Sequence, residues 1–269
     1  VKVCTIASGS GGNCVYVSAG DTHILIDAGI SCRRISTALK ALGVEVSDLS
    51  GVLITLEHSD HVAGLTTMMK HHAIPLYASA PTLNVLKEKL PVIQGGCFPV
   101  TPGERADIGA IAVTPFATSH DAVASVGYAV AAGGRQMALA TDLGFASEEV
   151  YRGVAGADLL ICETNHDVDW LRSGPYPYPL QQRILGDRGH LSNEAGAELA
   201  AWAAAQGTKI LILAHLSREN NTAARARQAV ERKLRTYRLE PGQDVTVTVA
   251  GPDEPGPIFE LEEKEAALW

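Results

Sequence analysis

The segment Glu57-His58-Ser59-Asp60-His61 sets two imidazoles and a carboxylate within four residues, just after the apolar run Val52-Leu53-Ile54. Imidazole and carboxylate together suit Zn²⁺, Mn²⁺ or Fe. A strand-end loop can aim residues two apart in one direction. His58 and His61 converge if the chain turns into a helix at Asp60. Val62, Leu65 and Met69 supply an apolar stripe for that helix, and Ser59 or Asp60 is placed to cap it. Alone, the stretch reads equally well as a polar loop.

Partners for a metal stand elsewhere in the chain. Ser119-His120-Asp121 follows the strand-like Ile111-Ala112-Val113-Thr114, and Thr141-Asp142 follows Gln136-Met137-Ala138-Leu139-Ala140. Ala214-His215 follows Lys209-Ile210-Leu211-Ile212-Leu213. Each case puts a His or Asp at the carboxyl end of a buried-looking strand. One such residue is ordinarily a cap or a turn; three of them beside the first stretch point to a metal site.

The elements that must position these residues follow from hydrophobic periodicity. Strands are expected at Lys2 to Ile6, Cys14 to Ser18 and His23 to Asp27, then a helix from Cys32 to Leu42 closed by Gly43. Gly51 to Ile54 reads as a strand, His61 to His72 as a helix, Leu76 to Ala78 as a strand and Pro81 to Leu90 as a helix. Cys97 to Asp107, broken at Thr101-Pro102-Gly103, and Ile111 to Ala117 read as strands. Ser125 to Ala131 and Arg135 to Ala140 read as a hairpin about Gly133-Gly134. After a strand at Asp158 to Cys162, the proline-rich stretch from Ser173 to Gly189 reads as an irregular surface loop. A helix from Asn193 to Gln206, a strand from Lys209 to Leu213 and a basic helix from Asn221 to Arg238 follow. Val245 to Val249 and Ile258 to Leu261 are strand pieces, and the acidic tail is expected to fray. Strands, then alternating strands and helices, twice over and without a linker, favour one α/β domain over residues 1–269, with two packed sheets and helices outside. The ligands then lie at strand ends along one edge.

Composition agrees with a globular chain. The 269 residues are 46% hydrophobic and 19% charged, with no apolar run of membrane-spanning length. The five cysteines form no CxxC pair, which argues against a disulfide framework or a zinc knot and for buried thiols in a reducing cytosol. A net charge of −8 argues against general nucleic-acid avidity. The exception is the stretch holding Arg218, Arg225, Arg227, Arg232, Lys233, Arg235 and Arg238, opposed by Glu219 and Glu231, which reads as a solvated helix face or, beside a hydrolytic site, as a contact for a phosphate backbone.

The whole pattern resembles the metallo-β-lactamase fold, a four-layer αββα sandwich, and within it the YycJ (WalJ) type of bacterial metallohydrolase. The resemblance rests on Ala7-Ser8-Gly9-Ser10-Gly11-Gly12-Asn13, Glu57-His58-Ser59-Asp60-His61, Ser119-His120-Asp121, Glu163-Thr164-Asn165-His166-Asp167, Gly174-Pro175-Tyr176-Pro177, Gly189-His190-Leu191-Ser192-Asn193-Glu194 and His215-Leu216-Ser217, in family order. It implies two divalent ions, Zn²⁺ or Mn²⁺. His58 and His120 would hold the first, Asp60, His61 and His215 the second, and Asp142 would bridge them. It also implies 5′-to-3′ DNA exonuclease activity, a role in DNA repair, and DNA as the substrate partner. Asp60 would orient the attacking hydroxide and His190 would protonate the leaving oxygen. Ser192 and Asn193 open a helix that would receive a phosphate on its free N–H groups.

The family signature is His-x-His-x-Asp-His, and Leu56 stands where its first histidine belongs. Leucine cannot ligate. A weakened first site is expected, with a labile ion there; a degenerate, non-enzymatic metal-binding homologue and an introduced substitution are the other readings. A small-molecule phosphoester or ester hydrolase is the competing enzymatic function. His166 and Asp167 read either as partners that orient ligands or as turn residues. His71 and His72 suit a helix C-terminus, and His23 a solvent-facing strand position.

Overall fold

The computed structural model describes residues 1–263 apart from Pro91, Gln94 and Gly95, so the tail expected to fray lies mostly outside the described residues. The strands are β1 (Lys2–Ala7), β2 (Cys14–Ala19), β3 (Thr22–Ile26), β4 (Leu49–Leu53), β5 (Leu76–Ser79), β6 (Cys97–Val100) and β7 (Ala106–Ile108). They continue as β8 (Ile111–Ala117), β9 (Val126–Ala132), β10 (Arg135–Ala140), β11 (Leu159–Glu163), β12 (Ile210–Ala214), β13 (Thr246–Val249) and β14 (Phe259–Glu260). The helices are α1 (Cys32–Ala41), α2 (Ser59–Val62), α3 (Leu65–His71), α4 (Ala80–Lys89), α5 (Glu148–Val154), α6 (Val168–Ser173), α7 (Tyr178–Leu185), α8 (Asn193–Ala205) and α9 (Ala223–Thr236).

The strands form two mixed seven-stranded sheets, ordered β14-β1-β2-β3-β4-β5-β6 and β13-β12-β11-β10-β9-β8-β7. Each sheet is antiparallel in one part and parallel in the other, and the change falls at β3 in the first sheet and at β10 in the second. Three apolar clusters account for the layers. Val15, Ile24, Ile26 and Leu53 of the first sheet meet Val113, Tyr128, Met137, Leu139, Ile161 and Ile212 of the second. Ile35, Leu39, Leu65, Met68, Leu83 and Leu86 cover the outer face of the first sheet, and Val150, Leu199, Val230 and Leu234 that of the second. The architecture is the four-layer αββα sandwich. Strands buried on both faces explain the unbroken apolar runs of β11 and β12. Each large aliphatic side chain so buried contributes about 1.5–3 kcal/mol.

Three expectations need correction. The stretch from Ser173 to Gly189 is not an irregular loop: α7 occupies Tyr178–Leu185, with Pro179 in its first turn, where a missing N–H costs nothing. The broken strand from Cys97 to Asp107 is two strands in different sheets, β6 and β7, with Gly103 between them at φ +83°. The helix from His61 to His72 is interrupted at Gly64, which sits so tightly that a Cβ there would lie 2.4 Å from the Ile30 carbonyl oxygen. Helices α5 and α6 were not expected at all, although Ser147 and Asp167 cap them as N-cap residues should.

Candidate metal centre

Strand ends carry the site. Asp27 follows β3, Asp142 lies two residues past β10, and His215 follows β12. These three share a backbone property: φ is +62°, +58° and +56°, the left-handed region. For a residue with a Cβ this costs roughly 1–2 kcal/mol each, and it turns the side chain off the line of the strand. Asp60 and His61 open α2, with His58 in the N-cap position and making no side-chain cap bond. His120 and Asp121 lie beyond β8.

Three imidazoles are anchored in the same way. His61 Nδ1 lies 2.8 Å from Asp27 Oδ2, His215 Nδ1 lies 2.8 Å from Glu163 Oε1, and His120 Nδ1 lies 2.9 Å from the Gly189 carbonyl oxygen. In each pair the acceptor has no proton to give, so Nδ1 carries a hydrogen and Nε2 is the nitrogen that faces inward, open to an ion in exchange for any proton it holds. All three are buried.

The inward nitrogens face carboxylates. His61 Nε2 is 3.4 Å from Asp60 Oδ2 and 3.5 Å from Asp142 Oδ2. His215 Nε2 is 3.6 Å from Asp60 Oδ2, and His120 Nε2 is 3.8 Å from Asp142 Oδ1. Asp142 Oδ2 and His215 Nε2 are buried with no hydrogen-bond partner. These separations are long for hydrogen bonds. They match the roughly 3.3 Å between two ligand atoms each about 2.0–2.1 Å from a tetrahedral ion. Asp60, His61 and His215 form one candidate cation group and His58, His120 and Asp121 another. A third group joins Asp142, Glu163, His190 and His215. The donor set therefore fits divalent metal. Without one, carboxylates neighbour imidazoles that take up protons instead. Burial opposes the His215 cation, but Asp142, Asp60 and Glu163 outweigh it and raise its pKa to about 10. Burial likewise opposes the His61 cation, and Asp27 and Asp142 overcome it.

Glu163 stood in a motif of the resemblance and Asp27 at a strand end, and neither was given a role from the sequence. Glu163, fully buried, accepts from His190 Nδ1, His215 Nδ1, and the Leu143 and Leu191 amides. Burial works against its charge, and His190 and His215 hold its pKa well below the usual carboxylate range. Asp27 accepts from the Thr55 amide and hydroxyl as well as from His61. Their signal was present: an acid ending an apolar strand.

The other candidates lie as follows. His190 stands with its ring centroid 4.9 Å from that of His120 and 5.2 Å from that of His215. The Ser192 hydroxyl caps α8 through the Ala195 amide. The Asn193 amide is buried and paired in both directions with Asn221. His166 is buried, and Asp167 caps α6 and pairs with Arg225. Leu56 is fully buried. A cleft of about 210 Å³ beside His120, His190 and His215 is walled by Tyr176, Leu180, Arg183 and Ile184. The cations of α9 are largely met by acids, with Arg232 on Glu194, Lys233 on Glu198 and Arg235 on Glu240.

Comparison with known proteins agrees with this geometry. The family model described as Beta-lactamase superfamily domain matches residues 22–216. Exodeoxyribonuclease YycJ of Bacillus anthracis is 36% identical over 256 residues, 94% of this chain and 96% of that protein. The chain belongs to the metallo-β-lactamase superfamily. Exodeoxyribonuclease WalJ of Streptococcus pneumoniae is also 36% identical, over 97% of this chain and 98% of its own, so within the superfamily the chain is homologous to the YycJ/WalJ proteins. Among solved structures, YhfI of Bacillus subtilis superposes with a TM-score of 0.71 at 17% identity, over 96% of this chain and 99% of its own. Zn²⁺-bound PqqB of Methylobacterium extorquens superposes at 0.68 and 19% identity, over 97% and 100%. Those two likenesses concern the metallo-β-lactamase fold alone. No helix among the described residues is long and apolar enough to cross a membrane.

Proposed function

We propose that this chain is a two-metal phosphodiesterase that degrades DNA from a 5′ end. The observation that carries the reading is the inward convergence of the His61, His120 and His215 Nε2 atoms on the Asp60 and Asp142 carboxylates, in a chain homologous to exodeoxyribonucleases along nearly its whole length. Asp60, His61 and His215 would hold one Zn²⁺ or Mn²⁺, His58 and His120 the other, and Asp142 both. Bound there, two such ions acidify water, clamp a phosphate and offset charge on the leaving oxygen.

The remaining steps belong to side chains. Asp60, partly exposed and bonded to Asn13 Nδ2, accepts a hydrogen bond from the attacking hydroxide and aims it. His190 keeps Nδ1 on Glu163, which leaves Nε2 to protonate the leaving oxygen. Ser192 and Asn193 fix the start of α8 behind His190: the Asn193 N–H donates to the His166 carbonyl and the Ala195 N–H to the Ser192 hydroxyl, so this turn holds its place beside the substrate rather than offering free N–H groups to a phosphate. Leu56 removes one ligand from the first ion, which is therefore the weaker bound. Buried Cys4, Cys14 and Cys162 support residence in a reducing, cytoplasmic compartment.

The test is cleavage of end-labelled DNA with Mn²⁺, beside His61→Ala. Products from the parent alone support the reading; no products from a metal-loaded parent sink it. A second reading, hydrolysis of small phosphoesters, draws on the small, partly apolar cleft at His190 and on the internal pairing of α9. Turnover of bis(p-nitrophenyl) phosphate without DNA cleavage would favour it.

A further inference from the structure

We infer that Asp121 supplies the first metal position with the ligand that Leu56 withholds, an inference that rests on the two-metal reading above. Asp121 follows His120 directly. Its Oδ1 lies 3.2 Å from His120 Nε2, the lone-pair nitrogen, since Nδ1 of that ring donates to the Gly189 carbonyl. A carboxylate oxygen and an unprotonated imidazole nitrogen repel at that distance unless a cation sits between them. Asp121 Oδ1 is moreover buried and without a hydrogen-bond partner. One ligand atom each from His58, His120 and Asp121 lies within 4.8 Å of the others.

The second oxygen explains how the carboxylate is held. Asp121 Oδ2 is engaged by the Arg183 guanidinium from α7. The fork fixes one oxygen and leaves the other aimed at His120. Arg183 is thus a positioning residue. Leu56 itself is sealed in the interior with no exposed surface. With Asp121 the first position has His58, His120, Asp121 and Asp142: two imidazoles and two carboxylates. That set is harder than one with three imidazoles and shifts preference from Zn²⁺ towards Mn²⁺.

The test counts ions, not turnover. Metal-free protein is titrated with Mn²⁺ by calorimetry, and bound metal is measured after dialysis. The parent is expected to bind two ions, and Asp121→Ala to lose about tenfold or more in affinity for the weaker one with the tighter one unchanged. Leu56→His added to Asp121→Ala should restore the second ion. Should the alanine variant fail to fold by circular dichroism, Asp121→Asn, of the same shape but uncharged, carries the test. Two ions bound as in the parent by a folded Asp121 variant would overturn the assignment, as would a single ion in the saturated parent. Two ions without DNA cleavage would instead count against the nuclease reading and leave Asp121 standing.

Discussion

His61 and Asp27 are joined at 2.8 Å through Nδ1 and Oδ2, in a pocket from which water is excluded. Asp27 therefore decides which nitrogen of His61 faces inward. Replacing it with alanine should weaken the tighter ion by about 10–100-fold. The Thr55 hydroxyl and amide, which also donate to Asp27, would lose their acceptor, so the melting temperature should drop too. Calorimetric titration of Asp27→Ala with Zn²⁺ checks this; parental affinity would show that His61 needs no anchor.

Proton release should accompany metal binding. In the metal-free protein the raised His215 pKa, about 10, means that the ring is charged at neutral pH and the ion displaces a proton. Affinity should rise with pH up to that value. For the metal-free fold the sign is opposite: the charged His215 adds stability that is complete below its unfolded pKa, near 6.5, and is lost as pH rises through about 10. Titrations at pH 7 in buffers of different ionisation enthalpy read the released proton, and heats independent of buffer would contradict it.

Gly29 is a steric gate on Asp60. A Cβ there would lie 1.6 Å from the Asp60 carbonyl oxygen and 2.7 Å from the Asn13 nitrogen, both backbone atoms. Gly29→Ala should cost about 1–3 kcal/mol of stability and push Asp60 out of reach of the tighter ion. Unfolding in urea and metal titration measure the two effects; a variant with parental values in both would mean the loop yields freely.

Helix α9 should contribute little to nucleic-acid binding. Arg232 and Arg235 already face Glu194 and Glu240. Exposed pairs of this kind hold weakly, yet they neutralise the face towards an incoming phosphate. Reversing both charges is expected to change DNA affinity by less than about twofold at moderate salt. A tenfold loss, with a shallower dependence on salt, would make this face the DNA track after all.

The candidate ligands were legible because they lie in short local patterns, two residues apart or at the end of an apolar run. Their anchors were not. Glu163 reaches His215 across 52 residues and Asp27 reaches His61 across 34, and no local period encodes such pairings. In the sequence each reads as the polar end of a strand. Helix α7 escaped because its prolines suggest a loop, whereas a proline in a first turn breaks nothing. The left-handed turns at Asp27, Asp142 and His215 were equally silent, since glycine, the usual mark of that conformation, is absent from all three.

One oxygen of Glu163 serves two masters. His190 and His215 both donate to Oε1 at 2.8 Å, so the two rings hang from a single atom. The other oxygen of Glu163 is held by the Leu143 and Leu191 amides, so the carboxylate has little freedom to turn. His190 and His215 are thus registered to one another through one atom, and a side chain that moves Glu163 moves both rings at once.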